Sequence, residues 1–162
     1  MPANTRAVLT QLAVVVGALA VLVTGADHLD EYTVNMFSTV PTIGTLFLLN
    51  FIAATVVGIG LLLPLGLITK RFAGPIRALL AIAGIGIAAS SLVALWISET
   101  WSLFGFTDYG FRPAIVTAIV AEAVAVVALS AYLALAPAVR IRERPGRRSG
   151  VRTAPPGRQT PA

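Results

Sequence analysis

Cysteine is absent from the 162 residues, and histidine occurs once, as His28. The first absence excludes thiol–disulfide chemistry, iron–sulfur ligation and thiolate metal sites. The second excludes bis-histidine haem within one chain. Neither a GxxxxGK[ST] phosphate loop nor an HExxH zinc helix occurs, so ATP-driven work and zinc proteolysis have no visible equipment. Charge is scarce as well: Asp, Glu, Lys and Arg make up 12% of the chain, against about 25% in soluble domains.

What is present is aliphatic. The chain is 57% hydrophobic with a mean hydropathy of +0.86, more apolar surface than a water-soluble domain of this length can bury. Four apolar blocks stand out, at roughly 7–26, 42–68, 76–98 and 113–136, each long enough to cross a hydrocarbon core of about 30 Å. Backbone amides in lipid must be satisfied within their own segment or in a closed barrel. These continuous Ala, Val, Leu and Ile runs lack the alternation of a barrel strand. The expectation is therefore an all-α polytopic transmembrane four-helix bundle over 1–136, in the plasma membrane, followed by a basic disordered tail at 137–162.

Orientation follows from the positive charges. Of the 12 Lys and Arg residues only Arg112 falls outside three places: the start of the chain, the 70–77 connection and the tail. Such residues collect on the cytoplasmic side, which predicts both termini there and GADHLDEYTVN (25–35) as an outer loop. Arg6, the apolar run and VTGA also fit a secretory signal cleaved after Ala26, but about 18 apolar residues exceed the usual signal core of about 7–15. Pro64 is expected to kink or loosen the end of the second helix, and Gly74 and Pro75 to separate the second from the third. The Arg-rich tail lacks interleaved aromatics, which favours anionic lipid over nucleic acid as its partner.

Two groups of residues are candidates for function. Glu122 lies about 14 Å below the outer end of its helix, flanked by Ala114, Ala118, Ala121, Ala125 and Ala128 at helical spacing. An ionisable group at that depth marks function or a buried partner. Asn50, Ser90 and Ser91 fall at a similar level, so a midplane polar layer is expected in which a protonated Glu122 hydrogen bonds to Asn50 or Ser91. That layer serves helix packing, a contact between subunits, or a proton or ion path. The second group is the outer rim: Asp27, His28, Asp30, Glu31, Glu99, Trp101, Asp108, Tyr109 and Arg112. Its aromatics suit an interfacial belt. Its His28 with Asp27 or Asp30 offers a metal or small-ligand site, although these lack the i, i+4 spacing of two ligands on one helical face.

HL at 28–29, GTLFLLN at 44–50 and SETWSLFGF at 98–106 resemble motifs of the small four-span integral membrane proteins common in high-GC Gram-positive bacteria. That resemblance implies the four-span topology and singles out His28, Asn50 and Glu99. It implies no assigned activity. With no catalytic set visible and no cofactor predicted, the expectation is a non-enzymatic accessory or interaction subunit of the cell envelope, in a homo- or hetero-oligomer. The alternatives are a small oligomeric transporter or ion conductor using Glu122, and an external metal- or cofactor-binding protein centred on His28.

Overall fold

A computed structural model describes residues 1–107 and 112–136; the tail at 137–162, Asp108 and Tyr109 lie outside the described residues. The described chain is helical, with four long helices and no strand. Helix α1 runs Ala3–Thr33, α2 Ile43–Leu62, α3 is the single turn Leu65–Ile68, α4 runs Ala73–Thr100 and α5 Pro113–Leu135. All four long helices have the length and apolar composition to cross a membrane. Around the bundle, α1 lies between α2 and α5, and α4 closes the ring on the opposite side; α1 and α4 meet across the diagonal, whereas α2 and α5 do not touch.

The helices approach closely because small residues line their seams and let the backbones come near one another. Leu129 of α5, fully buried, is wedged between two glycines. A Cβ on Gly17 of α1 would lie 2.5 Å from its Cδ2, and one on Gly84 of α4 would lie 2.7 Å from its Cδ1. On the α1–α2 seam, Gly58 accepts Leu22 in the same way. Around Leu129 the core is made of Val14, Ala18, Val21, Val57, Leu61, Ala125 and Tyr132. Ala118, Ala121, Ala125 and Ala128 are buried with Glu122, as their spacing predicts, and Val120, Val124 and Val127 point outward. Ile115 is buried too, because the first turn of α5 lines a cavity described below.

Pro64 has the predicted effect. It cannot donate to the helical ladder, so α2 ends at Leu62 and the chain resumes as α3. The Leu63 carbonyl left over accepts a 3.0 Å hydrogen bond from Arg77 Nη2. Arg6 Nε donates likewise to the Leu135 carbonyl at the end of α5, at 2.9 Å. These two basic side chains, counted in the sequence as topological signals, also cap helix C-termini, where positive charge is favoured.

The largest departure from the sequence reading is at the end of α1. The helix was expected to stop near Ala26; it continues through ADHLDEYT to Thr33. No proline or helix-breaking pair interrupts it. Its polar residues also gain from staying helical, since His28 and Glu31 then face neighbouring elements that offer them partners. The loop proper is only 34–42, with a short 3-10 turn at Phe37–Thr39. Gly44 is required beside it: a Cβ there would collide with the Phe37 carbonyl oxygen and lie 3.0 Å from Ser38 Cα.

Candidate functional site

Because α1 stays helical, Thr24, His28 and Glu31 stack on one face at i, i+4 and i+7, and that face looks into the bundle. All three are buried. His28 Nδ1 lies 2.8 Å from the Thr24 carbonyl oxygen and His28 Nε2 lies 3.1 Å from Ser91 Oγ on α4. A carbonyl only accepts, so Nδ1 carries the proton. In the neutral ring Nε2 then accepts from the Ser91 hydroxyl, which joins α1 to α4.

The ring also starts an aromatic chain. His28 meets Phe47 of α2 edge-on with centroids 5.3 Å apart; Phe47 meets Phe37 at 5.1 Å, and Phe37 meets Phe106 at 5.4 Å. Phe106 reaches that position through a two-residue turn. Leu103 and Phe106 exchange backbone hydrogen bonds of 2.8 and 2.9 Å, and the residues between them, Phe104 and Gly105, both have positive φ, 53° and 81°. This is the type I′ geometry that glycine at the second position favours. Trp101 and Phe104 remain exposed, Trp101 resting edge-on against Trp96 at 5.3 Å.

At the same end, Arg112, the residue preceding α5, places Nη1 3.4 Å from Glu31 Oε1 and its guanidinium carbon 5.8 Å from the Phe37 ring centroid. The buried Glu31 carboxylate thereby gains a cation while Arg112 stays partly exposed.

These elements line a partly open cavity of about 440 Å³. Its wall is mainly aliphatic and aromatic, including Leu46, Phe47, Leu95, Phe106 and Ile115. Into it converge Asp27, His28, Glu31 and Arg112 together with Asn50, Ser90, Ser91 and Glu122. The rim and the polar layer, two groups in the sequence, are thus one site. Three rim residues stand apart from it. Asp30 is exposed and accepts a 3.3 Å hydrogen bond from Asn35, Trp101 is on the surface, and Glu99 lies on the last turn of α4 with Oε1 buried and unpartnered.

Glu122 is fully buried at the deep end of the cavity, and neither carboxyl oxygen has a hydrogen-bond partner. The expected bond to Asn50 or Ser91 is not completed. Asn50 Oδ1 is itself unpartnered, and the Ser91 hydroxyl, a polar neighbour of the acid, is engaged with His28. Ser90 bonds to the Ile87 carbonyl at 3.0 Å. Of the suggested metal ligands, His28 has both ring nitrogens committed within the fold and Asp30 points elsewhere. Among the described residues no three His, Cys, Asp or Glu side chains converge as a metal site.

Sequence reasoning missed Thr24, Phe37 and Phe47. The i, i+4 relation of Thr24 to His28 was available, but only once α1 was extended past Ala26. Compared with family models, curated proteins and solved structures, the chain matches none of them.

Proposed function

We propose that the protein is a multi-pass integral membrane protein of the plasma membrane, with both termini cytoplasmic, that binds a small amphiphilic molecule in the cavity near its outer end. It acts as a non-enzymatic accessory or interaction subunit of the cell envelope. Membership of the four-span family of high-GC Gram-positive bacteria belongs to the same reading and rests on the three motifs. So does contact of the Arg-rich tail with anionic lipid.

The observation that carries the reading is Glu122: a fully buried acid with both oxygens unpartnered, facing a cavity whose wall is mainly apolar. Polar groups in such a place are normally satisfied, and an exception calls for a partner. A mostly apolar pocket with a few convergent polar groups is the usual form of a small-molecule site. A hydroxyl and a base do meet there, the Ser91 hydroxyl donating to His28 Nε2, but the other ring nitrogen is held by a carbonyl rather than by a carboxylate that would stabilise the charged ring, so a binding role fits better than a catalytic one.

Native mass spectrometry of protein released from its own membranes into lipid nanodiscs tests this. The wild type is expected to carry a bound small molecule at near-stoichiometric level. Ala94→Trp, which fills the cavity, is expected to lose at least nine-tenths of it; equal retention by both proteins would refute the reading.

Topology has its own test, made simple by the lack of cysteine. Single cysteines at Ser38 and Ser149 are expected to differ at least tenfold in labelling of intact cells by an impermeant maleimide, with Ser38→Cys reactive. Labelling of Ser149→Cys from outside would reverse the orientation.

A further inference from the structure

The cavity's charges do not balance. Among the described residues it is lined by three carboxylates, Asp27, Glu31 and Glu122, and by one guanidinium, Arg112, which is committed to Glu31. His28 does not make up the difference. Its Nδ1 proton is spent on the Thr24 carbonyl and its Nε2 faces a hydroxyl, so the hydrogen bonds around it are complete with the ring uncharged. Asp27 is half-buried and close enough to Glu122 for its charge to be felt there.

A buried carboxylate without a partner is stable only when it carries a proton or faces a cation. The fold supplies Glu122 with no cation, and the one hydroxyl beside it, on Ser91, is engaged with His28. A small metal ion is a poor match, because three ligating side chains do not converge anywhere among the described residues. Most of the cavity wall is apolar and aromatic instead, with Phe47, Phe106, Leu46, Leu95 and Ile115 lining the same space as Glu122 and the Arg112–Glu31 pair. That wall suits the hydrocarbon body of an organic ion, and aromatic rings add attraction for a cationic head.

We propose that the cavity is a binding site for an amphiphilic organic amine, its protonated nitrogen on Glu122 and its apolar body extending toward Arg112. This rests on the small-molecule reading above and names the ligand's class. From Pro113 to Glu122 the helix rises about 14 Å, which limits the ligand to one cationic head on a body of about that length. The ammonium donates to a carboxylate oxygen, and Asn50 Oδ1, also buried and unpartnered, accepts a second N–H. The acid's own proton, where it carries one, is released as the amine binds, so charge in the cavity is conserved.

The test is a series of equal shape and different charge: 4-phenylbutylamine, 4-phenylbutanol and 4-phenylbutyrate, titrated against the full chain in nanodiscs. The amine is expected to bind at least tenfold more tightly than the alcohol, as a charge-assisted hydrogen bond in an apolar site requires, and the carboxylate more weakly than either. Glu122→Gln is expected to bind the alcohol as before and to lose the preference for the amine. Asp27→Asn, further from the head, is expected to reduce that preference by a smaller factor and serves if Glu122→Gln does not fold. Equal binding of amine and alcohol by the wild type overturns the proposal, as does an amine preference that survives in Glu122→Gln. If the alcohol or the carboxylate binds best, the amine is excluded while the small-molecule site stands. If none of the three binds, the amine proposal fails, and the bound species seen by mass spectrometry decides the broader reading independently.

Discussion

Truncation of Leu129 to alanine is expected to destabilise the bundle by about 2–5 kcal/mol, the usual range for removing a large aliphatic side chain from a packed interior. The reason is geometric. Its two methyl groups occupy the notches of Gly17 and Gly84, so a single side chain holds α5 to both α1 and α4. The same geometry predicts the effect of filling a notch. Gly17→Ala adds a methyl 2.5 Å from Leu129 Cδ2, and Leu129 has no room to retreat because its other methyl already abuts Gly84. Overpacking of that kind costs about 1–3 kcal/mol. In the Leu129→Ala background the added methyl enters empty space, and its cost is expected to vanish or change sign. Unfolding in mixed micelles with increasing sodium dodecyl sulfate measures all four proteins of the cycle. Strict additivity of the two substitutions would show that Leu129 is not a wedge.

Glu122→Met is expected to act in the opposite direction on stability. Methionine fills nearly the same volume with a flexible apolar chain, and it removes two buried oxygens that have no hydrogen-bond partner. Leaving such a group unsatisfied costs about 1–3 kcal/mol, and the variant should recover an amount of that order in the same assay. Binding in the cavity should be lost together with the gain. A trade of stability for function at one residue is the signature of a group kept for something other than packing. A Glu122→Met protein less stable than the wild type would mean that the acid is satisfied within the fold, by the neighbouring Ser91 hydroxyl above all.

The helices were legible in the sequence because long apolar runs and clustered positive charges are strong, local signals. Ala118, Ala121, Ala125 and Ala128 announced the packed face of α5, and Pro64 the end of α2. The end of α1 was not legible. A run of Asp, His, Asp and Glu after an apolar stretch reads as loop when judged by hydropathy. Whether it stays helical depends on partners far along the chain: Ser91 for His28, at a separation of 63 residues, and Arg112 for Glu31, at 81. The unity of the site was hidden for the same reason. Depth along each helix can be counted from its end, but which helix faces which cannot, so rim and polar layer were read as separate. The motifs held more than their spacing disclosed. Gly44 clears the Phe37 backbone, Phe47 meets His28, Asn50 enters the cavity and Gly105 turns Phe106 inward. Three short matches at scattered positions become one constellation in space.

The division of the bundle into a solid part around Leu129 and a hollow part around Glu122 has a consequence for how the chain tolerates change. Substitutions among Leu46, Ala53, Leu95 and Ile115 alter the shape of a cavity, whereas a single carbon added at Gly17 or Gly84 collides with Leu129 at a seam between helices. If the cavity holds the ligand proposed above, one half of the molecule can drift toward new guests while the other stays fixed, and selectivity can be retuned without rebuilding the scaffold.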